Sequence, residues 1–92
     1  MEVRVYATLR QIVGVRRVEF DCPGPTVQQA IEELITRYPA LSDRLLNEAG
    51  EVRPFVAVML DGRDIRHLEG LQTPVSCRSA LDIFPPIAGG RR

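Results

Sequence analysis

One long segment of the chain repeats its apolar residues at helical spacing, and this segment constrains the fold more than any other feature. It follows Thr26, a residue type that caps helix N-termini, and continues to Tyr38. Pro39 ends it, because the residue before a proline is pushed out of the α region. The apolar members of the repeat are Val27, Ala30, Ile31, Leu34, Ile35 and Tyr38. We therefore expect one main helix whose apolar face lies on a core.

Two segments before this helix alternate apolar and polar residues with a period of two, which is typical of strands with one buried face. The first covers residues 3–7 and the second residues 16–21. Residues 9–15, which include Gly14, are predicted to be a turn region between them. The run Cys22-Pro23-Gly24-Pro25 then breaks the pattern. The two segments are therefore predicted to form a hairpin.

Further strands are predicted after the helix. Residues 55–60 form a near-continuous apolar run, which indicates a central strand covered on both faces, and Asp61-Gly62 is a turn signal. Residues 41–49 are a candidate short helix, and residues 63–79 are irregular apart from one possible short strand. Residues 80–84 are predicted to be the last strand. A hairpin, one long helix and further strands predict an α+β fold with the helix on one face of a sheet.

The last residues differ from the domain that precedes them. Pro85-Pro86 fix φ at about −65° and donate no backbone hydrogen bond, so they are expected to end the sheet and begin a stiff, extended arm. From Pro85 to Gly90 this arm spans about 20 Å at roughly 3.3 Å per residue. Gly89-Gly90 lack a Cβ atom, so their backbone can pass through a slot too narrow for a side chain. We divide the chain into a domain at 1–84 and an extended tail at 85–92.

Composition argues against several classes of function. Twelve acidic and twelve basic residues give a formal net charge of zero, so no overall field attracts nucleic acid or an anionic membrane. All twelve basic residues are arginine, so no side chain of residues 1–92 can accept an isopeptide bond. No apolar stretch approaches the roughly 20 residues that span a bilayer. The first residues show a strand pattern and not a signal peptide, so we expect a cytoplasmic location.

The residue types that bind metals or perform catalysis are sparse. Cys22 and Cys77 are too few for a disulfide scaffold and lack metal-ligand spacing; we expect two unreactive thiols, with a disulfide between their loops as the less favoured alternative. His67, the only histidine, has no evident cysteine or carboxylate relay, so no catalytic role is predicted. Three acidic residues lack the spacing of a calcium loop and are predicted to lie in a solvated turn: Asp61, Asp64 and Glu69.

Three segments together resemble the ubiquitin-like sulfur-carrier family. This family includes MoaD (the small subunit of molybdopterin synthase), the thiamine sulfur carrier ThiS and the cysteine-biosynthesis carrier CysO. The segments are residues 3–10, residues 61–66 with 68–71, and residues 82–90. The last is the most specific and reads Asp82-Ile83-Phe84-Pro85-Pro86-Ile87-Ala88-Gly89-Gly90. The resemblance implies a β-grasp (ubiquitin-like) fold, that is, a mixed sheet of four or five strands with one main helix packed on one face.

The resemblance also implies chemistry that other proteins perform on this chain. A ubiquitin-activating-type enzyme would use ATP and magnesium to adenylate Gly90, and a sulfur donor would convert the adenylate to a thiocarboxylate. A sulfurtransferase or synthase partner would pass the sulfur to a molybdopterin precursor, thiazole, a cysteine precursor or tRNA. The chain itself would bind no cofactor or metal and would not be an enzyme. Gly89, directly before the reactive Gly90, would keep the end of the tail free of side chains. The positions that match docking residues of the family are Phe84, Pro85, Pro86, Ile87 and Ala88.

Arg91-Arg92 depart from the family pattern, because members used directly as carriers end at Gly-Gly. Since two bulky side chains beyond Gly90 would block a narrow slot, we expect a trimming protease of the zinc-dependent JAMM type, or a similar enzyme, to cut between Gly90 and Arg91. The alternative is an unprocessed basic tail. Two functions remain open: a sulfur carrier, which is favoured, and a protein modifier joined through Gly90 to lysines of target proteins. An interaction domain with an inactive tail is the least favoured reading.

Overall fold

The computed structural model describes residues 1–21 and 24–85, and its strands form one five-stranded sheet in the order β2-β1-β5-β3-β4. Strands β1 and β5 are parallel, and the other neighbouring strands are antiparallel. This arrangement confirms the predicted mixed sheet, including the hairpin pairing of β1 with β2. The strands are β1 (Glu2–Val5), β2 (Arg17–Glu19), β3 (Ala57–Leu60), β4 (Arg63–Asp64) and β5 (Ala80–Phe84).

Helices and 3₁₀ turns connect the strands within the described residues. The predicted main helix is confirmed as α2 (Val27–Arg37). Thr26 precedes it in an extended conformation, but its side chain makes no capping hydrogen bond. The other elements are α1 (Thr8–Val13), α3 (Ser42–Leu45) and 3₁₀ turns at Pro39–Leu41, Ile65–His67 and Gly70–Gln72.

The core lies between α2 and one face of the sheet. Helix α2 contributes buried side chains at helical spacing, and the central strands contribute every second residue. Because the buried residues alternate along β1 and β5, the residues between them face the opposite side of the sheet. The members of this one cluster from α2 and the three central strands are Val27, Ala30, Ile31, Leu34, Val3, Val5, Val58, Leu60, Leu81 and Ile83.

The prediction of a turn region at residues 9–15 is wrong, because helix α1 occupies most of it. Leu9 and Val13 lie four residues apart on one helix face, and both are buried in the core. Gly14 ends the helix in the left-handed conformation, with φ of 87°, and its N–H donates to the carbonyl oxygen of Arg10. A helix of six residues is too short to show its period against the neighbouring strand patterns.

The apolar run at residues 55–60 is not covered on both faces, as was predicted for it. Strand β3 begins at Ala57, and only Val58 and Leu60 within it are buried. Phe55, before the strand, is largely exposed. An unbroken apolar run does not reveal which residues face the core, because the residues on both faces of the strand are apolar. The candidate short helix at 41–49 is confirmed only over Ser42–Leu45.

The expectation of two unreactive thiols is wrong for Cys77, which is disulfide-bonded. Cys22, the other cysteine of the sequence, lies outside the described residues.

Replacing a core residue of α2 should test the packing of helix on sheet. Leu34 has no exposed surface, so Leu34→Ala removes buried methyl groups and leaves a cavity. We expect the free energy of unfolding to fall by about 2–5 kcal/mol in urea denaturation. Glu33→Ala, at the neighbouring exposed position of the same helix, should change it by less than about 0.5 kcal/mol. Equal effects of the two substitutions would contradict this packing.

Candidate functional site

The predicted docking residue Phe84 ends β5, which lies in the centre of the sheet. Strand β5 pairs with β1 on one side and with β3 on the other, so the chain leaves the sheet from its middle at Pro85. Pro85, also a predicted docking residue, is the last residue of the described part, and the remaining predicted site residues lie outside it, so the roles of all of them remain predictions. Those outside it are Pro86, Ile87, Ala88, Gly89, Gly90 and Arg91.

An aromatic pair stands where the chain leaves the sheet. Val5 and Ile83 are buried, so Tyr6 and Phe84, the next residue along each chain, face away from the core. The rings of Tyr6 and Phe84 are stacked, with centroids 4.3 Å apart and planes inclined by 13°. Aromatic contacts of this kind contribute about 0.5–1.5 kcal/mol beyond the area they bury. The ring of Phe84 is therefore held in a fixed position although it is partly exposed.

The carboxylate of Asp82, next to this pair, links β1 to β5 by hydrogen bonds. The Tyr6 hydroxyl donates to Oδ1 of Asp82 at 2.7 Å, and Nη2 of Arg4 donates to Oδ2 at 2.9 Å. The Nε atom of Arg4 lies 2.7 Å from Oδ1. Arg4 and Asp82 are direct cross-strand partners in the parallel pairing. Hydrogen bonds to a charged group are among the stronger ones in proteins, so this network fixes the two strand ends relative to each other.

The network also determines the protonation of its members. The hydrogen bond to Asp82 raises the pKa of Tyr6 above its ordinary value, and burial and the negative charge of Asp82 act in the same direction. The same carboxylate raises the pKa of Arg4, through its hydrogen bond and its charge. Both side chains therefore keep their protons at neutral pH, and the network stays intact there.

A hollow with a volume of about 740 Å³ adjoins the network. Glu2 forms ion pairs with Arg4 at 3.7 Å and with Arg17 at 4.0 Å. For Arg10 and Arg16, no carboxylate of the described residues lies within ion-pair distance. The hollow is therefore locally positive although the whole chain is neutral. Its lining residues are Glu2, Arg4, Val5, Tyr6, Arg10, Val15, Arg16 and Arg17.

The described residues contain no group of three or more histidine, cysteine or acidic residues that could hold a metal ion. Two of the acidic residues in the turn have structural contacts instead. Oδ1 of Asp61 accepts from the N–H of Ala80 at 2.9 Å, and Oδ1 of Asp64 accepts from the N–H of Arg66 at 2.9 Å. His67 lies exposed in a 3₁₀ turn. Within the described part of the chain, no helix is long and apolar enough to cross a membrane.

With this geometry established, comparison with known proteins identifies the family. The model of the ThiS family matches residues 3–90. The chain belongs to the ThiS family. Small archaeal modifier protein 3 of Haloferax volcanii is 39% identical over 94 residues, which cover 98% of each chain. An Archaeoglobus fulgidus protein, provisionally named a sulfur carrier protein, is 32% identical over 90 residues, again covering 98% of each chain.

A solved structure confirms the fold of this ThiS-family chain. A chain in the crystal structure of the Amycolatopsis orientalis BexX/CysO complex superposes with a TM-score of 0.85 at 30% identity. The match covers 97% of this chain and 98% of that one. The fold is therefore the ubiquitin-like β-grasp fold, as the resemblance implied. Its relatives are small carrier and modifier proteins.

Phe84 was predicted as a site residue from the sequence, but Tyr6 and Asp82, which hold it in place, were not. Tyr6 had a local signal, because it continues the alternation of β1 on the exposed side. Asp82 lies inside the terminal signature, but its contacts with Arg4 and Tyr6 depend on the pairing of the first and last strands. No local pattern reveals that pairing.

The Tyr6 hydroxyl should lose its proton at a higher pH than an ordinary tyrosine, whose pKa is about 10. Folding favours its protonated form, so its contribution to stability is present below that pH and is lost as pH rises through the raised pKa. In a Tyr38→Phe background, where Tyr6 is the only tyrosine, phenolate absorbance should give a midpoint above 10 that falls in Asp82→Ala. Glu2→Ala, which removes a nearby carboxylate not bonded to Tyr6, should leave the midpoint unchanged. An unchanged midpoint in Asp82→Ala would show that the hydrogen bond does not control this proton.

Proposed function

We propose that this chain is a ubiquitin-like sulfur carrier that works through the carboxyl group of Gly90 after Arg91 and Arg92 have been removed. The observation that carries the proposal is the position of Phe84. In a chain of the ThiS family, this residue ends the central strand and is held by the stacked ring of Tyr6. The tail therefore starts from a fixed point on the rigid domain, which suits a terminus that must reach the active site of another protein.

The chemistry starts with activation, because a free carboxylate is a poor acyl donor. A carboxylate oxygen of Gly90 attacks the α-phosphorus of ATP, and pyrophosphate leaves, which gives an acyl adenylate. Hydrosulfide, the sulfide-level nucleophile that a sulfur donor releases, then attacks the acyl carbon and AMP leaves, so that the chain ends in a thiocarboxylate. The activating enzyme supplies the ATP and magnesium. The chain supplies a substrate group and performs no catalysis itself.

Three kinds of partner follow from this sequence of steps. A trimming protease of the JAMM type, or one of similar specificity, exposes Gly90 by cutting before Arg91. A ubiquitin-activating-type enzyme adenylates it, and a sulfurtransferase or synthase partner uses the thiocarboxylate. The docking contacts are assigned to Phe84 with the stem at 85–88. Gly89 has no side chain, so the end of the tail can pass through a narrow path to the active site. A structure of CysO in complex with BexX exists for the related fold.

The second candidate function is a protein modifier joined through Gly90 to lysines of target proteins. It is favoured by the 39% identity to small archaeal modifier protein 3 over nearly the whole chain. Both functions begin with the same acyl adenylate and differ in the nucleophile that attacks it, which is a sulfur donor in one and a lysine amine in the other.

Intact-mass measurement of the protein from its native cells separates the two functions. A chain that has lost Arg91 and Arg92 and exchanged one carboxyl oxygen for sulfur is the product expected of a carrier. Target peptides that carry a Gly-Gly remnant on lysine are the product expected of a modifier. A chain trimmed to Gly90 that an activating enzyme cannot adenylate would contradict both.

Bulk at the last glycine should abolish activation without affecting the fold. In a chain ending at residue 90, Gly90→Val places a branched side chain next to the reacting carboxyl group. We expect ATP–pyrophosphate exchange by the activating enzyme to fall at least about 100-fold, because small displacements of a reacting group cost that much. Ala49→Val adds similar bulk at an exposed turn and should leave exchange unchanged. Normal exchange by Gly90→Val would refute the narrow-slot argument.

A further inference from the structure

Phe55 is the most exposed of the large apolar side chains in the described residues. Its exposed fraction is 79%, against 49% for Val15, 37% for Phe84 and 36% for Leu68. A single exposed apolar residue is ordinary on a protein surface. Phe55 differs from that case in two respects, which are the way its backbone is held and its place relative to the tail.

Arg66 holds the backbone on both sides of Phe55. Its Nη2 atom donates to the carbonyl oxygens of Arg53 at 3.1 Å, Pro54 at 2.8 Å and Val56 at 2.7 Å. The N–H of Val56 donates to the carbonyl oxygen of Arg53 at 3.0 Å, and the side chain of Val56 is fully buried. The turn is therefore fixed by one guanidinium group and one core residue, while the ring between them faces solvent. A side chain displayed on a fixed backbone loses less conformational entropy when it binds.

The position of Phe55 follows from the register of the sheet. Ala57 is the partner of Phe84 in the antiparallel pairing of β3 with β5, so Phe55 lies beyond the strand end from which the tail leaves. Val15 lies at the same end, because the carbonyl oxygen of Arg16 accepts from the N–H of Val5 at the end of β1. Three of the four exposed apolar side chains in the described residues therefore surround the start of the tail. Leu68 lies apart from them, because the chain after it is tied to the start of α2: the N–H of Glu69 donates to Oγ1 of Thr73, and the carbonyl oxygen of Thr73 accepts from the N–H of Val27.

The length of the tail limits what can cover this end of the sheet. From Pro85 to Gly90 the chain reaches at most about 20 Å. A protein that binds Gly90 in its active site must therefore come close to the strand ends from which the tail starts. An apolar ring near the start of the tail then becomes part of the same interface, where aromatic residues in the centre contribute most of the binding energy.

We propose that Phe55, positioned by Arg66, is an anchor that inserts into an apolar pocket on the enzyme that adenylates Gly90. The inference rests on the proposed function and adds to it a contact outside the tail and the Tyr6–Phe84 pair. Phe55 supplies the buried apolar area. Arg66 is a positioning residue that acts through the backbone of the turn and does not touch the partner.

The first test measures the KM of the trimmed chain in ATP–pyrophosphate exchange. Phe55→Ala should raise the KM for the chain about ten-fold, with kcat within about two-fold of the unsubstituted value, because an anchor contributes to binding and not to the chemical step. Its unfolding midpoint should not change, since the ring is exposed. Leu68→Ala, the matched truncation of the exposed residue away from the tail, should leave the KM unchanged.

The outcomes of this test separate the anchor from the proposed function. An unchanged KM for Phe55→Ala, with normal exchange by the unsubstituted chain, would overturn the anchor alone. No exchange by the unsubstituted chain would overturn the proposed function and the anchor with it. The alternative is that a second copy of the chain covers the ring, and sedimentation velocity tests it. A dimer of the unsubstituted chain that dissociates in Phe55→Ala would support this alternative and overturn the proposal.

A double-mutant cycle tests the role of Arg66. Arg66→Ala should raise the KM about three-fold by loosening the turn, the effect expected when one side chain must be immobilised on binding. In the Phe55→Ala background it should raise the KM no further, because there is no ring left to position. Equal effects of Arg66→Ala in both backgrounds would show that Arg66 acts independently of Phe55, and would refute the positioning role.

Discussion

The parallel pairing of β1 with β5 is the constraint on which the rest of the structure depends. It joins residues more than seventy positions apart, from the Glu2–Ala80 pair to the Val5–Ile83 pair. In a parallel pair the carboxyl ends of both strands lie at the same edge of the sheet. The pairing therefore brings Tyr6 beside Phe84 and places the start of the tail in the middle of that edge. In an antiparallel pairing, the last strand would end at the opposite edge, away from Tyr6.

The two faces of the sheet contribute in different ways. The face covered by α2 supplies the apolar burial that stabilises the domain, and its residues recur every second position along the strands. Helix α2 does not cover the other face, whose cross-strand contacts in the described residues include polar and aromatic ones. Since the core is complete without this second face, its side chains are available for recognition. The Tyr6–Phe84 pair, the arginine-lined hollow and Phe55 all lie on this face or at the end of the sheet where the tail begins at Pro85.

The bounds of a helix or strand could be predicted from the sequence where the element is long enough to repeat its apolar pattern. Helix α2 spans eleven residues and shows its apolar face clearly, and β5 has the predicted bounds. Helix α1 spans six residues, fewer than two turns, and was predicted as a turn region. Phe55 was assigned to a buried strand because its neighbours are apolar. The turn that carries Phe55 is held by hydrogen bonds from Arg66, which lies eleven positions away, and no local pattern encodes that contact.

The two proposed functions, carrier and modifier, can use the same chain, because the fold determines only where the tail starts and both proposals begin with the same acyl adenylate. The nucleophile that attacks the adenylate then selects the product, and that nucleophile belongs to another molecule. Residues 1–92 contain no lysine, so no ε-amine on a second copy of these residues competes for the activated group. Arginine keeps its positive charge while offering no free amine at neutral pH, because its guanidinium group is always protonated. The chain can thus present a basic surface near the start of its tail without offering a side-chain amine that would accept the activated acyl group.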